Sequence, residues 1–197
     1  LTGDPPGATP LDPDDLQGLI PTWVATRGDL DQAEFQSITR ARPWAEQKAR
    51  RAGPEGVLQS DFLFDLHRRM FDGVWRWAGE ARRRQTNLGV APGQIRVAVR
   101  QAMDDAQAWH VHDAFPIDGR AIRLHHGLVA VHPFPNGNGR ATRLFADLYL
   151  VACGQAPFTW ASGAILSAPD TTRALYLAAL RMADAGDMEP LERFARS

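Results

Sequence analysis

Residues 131–145 read VHPFPNGNGRATRLF, and the pattern on either side of the paired Asn-Gly steps constrains the fold more than any other feature. An Asn-Gly step between alternating apolar residues marks a two-residue hairpin. Here neither flank alternates. Upstream, Ala121, Leu124, Leu128 and Val131 share one helical face. Downstream, Leu144, Leu148 and Val151 do the same, with Phe145 and Ala152 beside them. That spacing belongs to amphipathic helices. The glycines therefore join two helices, and the second, ending at Gly154, has a stripe wide enough for a central buried helix.

The same period recurs along the chain, so the expected class is all-α. A helix opens near Asp29 or Asp31 and runs to about Ala52, where Gly53-Pro54 stops it. From a cap at Ser60, Phe62, Leu66, Met70 and Val74 or Trp77 share a face; from Val97 to about Asp113, Val97, Met103 or Ala102, Ala106 and Trp109 do. Two more helices follow, over about 171–185 with Asp170 as its cap, and a short one around Pro190. Residues 80–97, rich in short extended pieces around Asn87, Gly89, Pro92 and Gly93, read as a small β-hairpin or an exposed loop. Residues 1–15 combine four prolines with four aspartates and read as a flexible or extended arm. The organisation is then an arm over 1–15, a helical extension over 16–56 and a core domain over 57–197.

The loop between the two helices has the makings of an anion cradle. Glycines permit φ > 0, so consecutive N–H groups can converge, and a helix N-terminus adds unpaired donors and a positive dipole end. Arg140 and Arg143 emerge on one face of the first turns. Arginine at that end opposes the dipole, a local cost that a bound polyphosphate offsets. His132, across the loop, is placed to act as a general base near neutral pH.

His132-Pro-Phe-Pro-Asn-Gly-Asn-Gly-Arg-Ala-Thr-Arg143 closely resembles the signature of the Fic family, His-x-Phe-x-Asp/Glu-Gly-Asn-Gly-Arg-x-x-Arg. LHRRMFDGVWRWAGEARR, LHHGLVAVHPF and ADAGDMEPLERF resemble family segments too, so the likeness covers about residues 57–195. HPFPNGNGR together with LIPTWVATRGDLDQAE is most similar to a subgroup on mobile elements called mobile mystery protein B. The resemblance implies a helical core with a small β-hairpin flap, and a transferase moving AMP, or another phosphate-containing moiety, from ATP or another NTP to a Ser, Thr or Tyr hydroxyl of a protein. It makes His132 the base, Gly137, Asn138 and Gly139 the anion hole, Arg140 and Arg143 the phosphate-binding cations, and Phe134 a buried anchor. Asn136 stands where the family has the Asp or Glu that holds Mg²⁺, so Asn136 becomes a candidate metal ligand one charge weaker. The alternative is a nucleotide-binding regulatory or toxin–antitoxin-like module with little transfer activity. Arg84, Thr86, Asn87, Leu88 and Gly89 fall in the flap, expected to hold a target by strand addition. Many relatives are restrained by Ser/Thr-x-x-x-Glu-Gly/Asn. Glu34 offers the acid, but with Leu30 and Phe35 around it, and the pair it implies is Glu34–Arg143, set against restraint by a separate antitoxin partner.

Other features are expected to be bland. With Lys48 the only lysine, arginine excess reflects composition, not a site. A net charge of −1 argues against a nucleic-acid partner or an anionic membrane surface. No apolar run reaches the length of a membrane span and no signal pattern opens the chain, so the cytoplasm is the expected location. Cys153, the only cysteine, reads as a small hydrophobe. His125 and His126 point about 100° apart on a helix and cannot form a metal trio with His132; one packs and the other nears solvent. His110 and His112 read as solvated, and His67 has no evident partner. Trp75, Trp77, Trp109 and Trp160 read as core or core-edge packing.

Overall fold

The computed structural model describes residues 12–161 and 171–197. The proposed cap Asp170 and most of the arm lie outside these. The described residues form eight α-helices and one 3₁₀ turn and no strand; the only β contact is an isolated bridge, Leu19 to Trp75. The helices are α1 (Pro13–Leu16), α2 (Arg27–Val57), α3 (Ser60–Phe71), α4 (Ile95–Val111), α5 (Ile117–Val131), α6 (Asn138–Ala152), α7 (Thr171–Asp184) and α8 (Glu189–Arg196). None is long and apolar enough to cross a membrane.

Helix α6 is the axis of the fold. Eleven of its fifteen residues are buried, because α2 and α3 cover one side and α5 the other. A stripe of Ala33, Ala41, Ala45 and Ala49 lets α2 approach closely, and these residues join the same hydrophobic cluster as Phe145 and Leu148. The 16–56 segment thus shares its core with the rest of the chain. Thr26 and Asp29 cap α2 reciprocally, and its path breaks at Gly53, φ +68°, as Gly53-Pro54 implied. Helix α5 buries the four residues of its expected face. Helix α4 packs against α5, and α7 against α8.

Three expectations need correction. Ser60 is the first residue of α3, and Gln59 takes the cap position without a side-chain bond. Helix α4 begins at Ile95, which turns its buried face to Ile95, Val99, Met103 and Ala106 and leaves Val97 71% exposed. Of the two readings for residues 80–97 the structure takes the loop, over 80–91 only, since a 3₁₀ turn follows at Pro92–Gln94 and α4 from Ile95. The loop backbone pairs with the α5–α6 connection, not with itself: Arg82 N–H donates to the Pro133 carbonyl at 2.9 Å and Val90 N–H to that of Val131 at 3.3 Å.

Candidate active site

His132 ends α5 in the left-handed conformation, φ +53°, its N–H still bonded to the Leu128 carbonyl at 3.2 Å. A non-glycine residue there is strained and persists only where its surroundings hold it. The holding group is Arg82, itself 4% exposed, whose Nε donates to the His132 carbonyl at 2.7 Å. Its other nitrogens donate to the carbonyls of Arg84 and Val90, so one guanidinium ties the flap loop to the site. Gly89, φ +94°, brings the flap backbone so near that a Cβ there would lie 2.6 Å from His132 Cβ. From the sequence, Arg82, Arg83 and Arg84 read alike, as a run that favours an acidic target or is merely solvated, since nothing within it distinguishes the inward member.

Burial pushes the His132 imidazole down to about 4, helped by the charge of Arg82 and opposed by a hydrogen bond to the Val129 carbonyl. A carbonyl only accepts, so the ring nitrogen facing Val129 carries the hydrogen and the other keeps its lone pair. The ring is therefore neutral at physiological pH, with one nitrogen in the form that can accept a proton.

The loop after it is locked from both ends. Phe134 is fully buried, stacked on His67 at 3.7 Å between centroids and edge-on to Phe64 at 5.3 Å. The Asn138 amide accepts from Phe134 N–H at 2.8 Å and donates to the Phe134 carbonyl at 2.7 Å. The Asn138 side chain thus staples the loop; only its N–H remains to serve an anion. Gly137 takes φ +76°, and a Cβ there would sit 2.6 Å from Phe71 Cζ. No side chain caps α6, so its first N–H groups face the cradle.

His67 has the partners that the sequence did not reveal. Gly79 N–H donates to Nδ1 at 2.9 Å, which leaves the ring hydrogen on Nε2, 3.1 Å from the Asn136 carbonyl. Burial holds this ring down at about 3, so it stays a neutral strut. Its position on the inward stripe, one turn after Leu63 and one before Phe71, was the available signal.

The Asn136 side chain is turned inward. Oδ1 accepts from Gly137 N–H at 2.7 Å, while Nδ2 is buried without a partner. Reversing the amide would set two donors face to face, so the assignment holds. A spare buried donor suits a phosphate oxygen and not a cation. Asn136 as it stands does not fit Mg²⁺.

The two motif arginines have internal partners. Arg140 Nη1 donates to Glu34 Oε2 at 2.7 Å, and Oε1 of the same wholly buried carboxylate accepts from Trp75 Nε1 at 2.8 Å. The expected Glu34–Arg143 pair is therefore corrected to Glu34–Arg140, because Glu34 faces the first turn of α6. Arg143 is instead hydrogen-bonded to Tyr176, with Trp160 beside it. Tyr176 also meets His125 Nε2 at 3.0 Å, and Asp147 holds the Trp160 indole at 2.9 Å. His125 is thus the packed member of its pair, and His126 bonds Asp184. His112 is exposed as expected, but His110 is half-buried with Nδ1 3.1 Å from the Tyr149 hydroxyl.

The model of the Fic/DOC family matches residues 57–150. Protein adenylyltransferase Fic of Drosophila willistoni is 31% identical over 137 residues, 67% of this chain and 26% of that protein. Protein adenylyltransferase fic-1 of Caenorhabditis elegans is 33% identical over 144 residues, 70% of this chain and 26% of that protein. The chain thus spans about a quarter of the length of the curated relatives it matches. A Fic domain containing signaling protein from Bacteroides thetaiotaomicron has the same fold, with a TM-score of 0.67 at 18% identity, covering 89% of this chain and 70% of that one.

Proposed function

Because the chain belongs to the Fic domain family, we propose that it transfers AMP from ATP, or a related moiety from another NTP, to a Ser, Thr or Tyr hydroxyl of a protein. The observation that supports this is a buried His132 at the start of a loop that leads into the uncapped N-terminus of α6, whose first turns carry Arg140 and Arg143. In the proposed step the hydroxyl oxygen bonds to the α-phosphorus and the α–β phosphoanhydride breaks. The proton passes to His132 and pyrophosphate leaves. The N–H groups of residues 138–140 and the guanidinium groups of Arg140 and Arg143 bind the phosphate oxygens, where charge neutralisation matters most. Asn136 supplies its spare amide N–H to the same oxygens, and no step is routed through Mg²⁺. Arg84, Thr86, Asn87, Leu88 and Gly89 lie on the flap beside His132, the side from which a protein hydroxyl would approach.

Glu34 is proposed as an intrachain restraint: a nucleotide must take Arg140 from it. That contact, with the missing carboxylate at Asn136, favours the second reading, a nucleotide-binding regulatory module with little transfer of its own or one restrained by a separate partner. Incubation with α-labelled or γ-labelled ATP, followed by intact-mass analysis of the chain, separates the two. The transferase reading expects α-label and one adenylyl increment on the chain itself, both absent in His132→Ala. Nucleotide binding with no label on protein in either chain would leave the regulatory module.

A further inference from the structure

A cavity of about 720 Å³ lies beside the phosphate cradle, between residues 12–18 and the flap. Pro135 forms its end nearest the cradle, and Trp77 its floor. Arg76, Arg83 and Arg84 line one wall, Arg83 paired with Glu80 at 3.2 Å, while Arg82 turns its guanidinium inward to three carbonyls. Opposite lies the run Asp12-Pro13-Asp14-Asp15, all three of whose carboxylates converge on Arg84, at 2.6, 2.8 and 3.1 Å.

The two halves of the 12–20 segment are held by different forces. Arg76 N–H donates to the Gly18 carbonyl at 2.8 Å and Ile20 N–H to that of Val74 at 2.9 Å. At Gly18 a Cβ would lie 2.5 Å from the Trp77 ring, so the backbone is seated tightly there. The acidic half has Arg84 and one bond from Trp77 Nε1 to the Asp15 carbonyl at 3.0 Å. Three carboxylates on one guanidinium repel one another, and Arg84 is 39% exposed, so each pair contributes little. The acidic half can leave while Gly18 and Ile20 stay anchored.

We propose that this cleft is a docking site for an acidic segment of the target protein, and that the chain's own Asp12-Pro13-Asp14-Asp15 occupies it at rest. The inference deepens the reading of residues 84–89 as the target-facing flap and rests on it. The resident segment displays the chemistry the cleft accepts: one helical turn, capped by Asp12 and opened by Pro13, with carboxylates set to reach Arg84. When that segment swings out, Arg84 loses all three of its carboxylates, and a target bearing its own acidic run gains what the resident gives up. Docking there sets the target's backbone along the flap, next to Pro135 and hence to His132.

The test needs no nucleotide, so it stands apart from whether transfer occurs. A labelled peptide of sequence DPDDLQ, the chain's residues 12–17, is titrated by fluorescence anisotropy at low ionic strength, where exposed charges are least screened. It is added to the full chain, to Asp12→Asn/Asp14→Asn/Asp15→Asn, and to that triple variant carrying Arg84→Ala or Arg84→Gln. The triple variant should bind about tenfold tighter than the parent, the scale of one or two exposed ion pairs released from competition. Either Arg84 substitution should lose that binding while the melting temperature stays unchanged. The idea is overturned if the triple variant binds no tighter, if Arg84 makes no difference, or if the peptide NPNNLQ binds equally. An oligothymidine that binds more tightly than DPDDLQ through Arg84 would reassign the cleft to nucleic acid.

Discussion

Replacing Glu34 by Gln separates a restraint from a scaffold, because the two roles predict opposite outcomes. The Gln amide oxygen can keep the 2.8 Å bond from Trp75 Nε1, but its NH₂ then faces the Arg140 guanidinium, donor against donor. Removing one partner of a buried pair costs about 3–5 kcal/mol when the other charge is stranded. Arg140 is not stranded: its side chain is 31% exposed and can turn toward the cradle or solvent. The expected loss is therefore about 1–3 kcal/mol, or about 3–8 °C in melting temperature for a chain of this size. ATP no longer has to displace a carboxylate held at 2.7 Å, and affinity should rise by about tenfold, equivalent to about 1.4 kcal/mol. Calorimetric melting and isothermal titration with ATP read both quantities on one preparation. A variant that loses stability yet binds ATP no more tightly refutes the restraint and leaves Glu34 a buried brace for Trp75 and Arg140.

Two further perturbations test the site. Asn136→Asp replaces the amide by a carboxylate where Nδ2 now lies buried and unpaired; ATP affinity, little altered by Mg²⁺ in the parent, should become Mg²⁺-dependent in the variant, as titrations with and without a chelator report. Acid should destabilise the fold early, because His67 and His125 are held at about 3 and His132 at about 4, all below the 6.5 of an unfolded histidine. Below pH 6.5 the unfolded chain takes up these protons first, so stability falls as the pH drops toward 4. Asp147, raised to about 6, acts the other way over the same interval. Three groups against one give a net loss of roughly 3–4 kcal/mol between about pH 6.5 and 5, measurable by urea denaturation; a flat profile there would contradict the burial of the three rings.

The helices were legible because burial of one face writes a 3.6-residue period into the chain, and the α5 stripe of Ala121, Leu124, Leu128 and Val131 was read from that alone. The cradle was legible for a related reason: its glycines have no side chain to confuse the reading. Partnerships were not. A run such as residues 80–91 has strand-like pieces whether it pairs with itself or, as here, through Arg82 and Val90 with residues 131–133. Glu34 and His67 sit on buried faces, between Leu30 and Ala41 and between Leu63 and Phe71. A polar residue on an inward stripe must find a partner, so the positions were marked. The partner's identity depends on how α2 and α3 cross α6, which no local pattern encodes.

The cations around this site share a condition that one sequence motif could not express. Arg140 is held by Glu34, Arg143 by Tyr176, Arg82 by three carbonyls and Arg84 by three aspartates. An anion entering the cradle or the flap cleft therefore exchanges partners with an arginine already in place. That makes binding weaker than the count of arginines suggests, since each resident acceptor must be left with water or another donor. It also makes binding selective, because only an anion that offers better geometry than the resident completes the exchange. The arginines held by carbonyls and by Tyr176 keep their positions when the carboxylate pairs open. The loop geometry around His132 is thus maintained by neutral partners, while the proposed restraints, Glu34 on the nucleotide side and Asp12, Asp14 and Asp15 on the target side, are the carboxylate pairs that open.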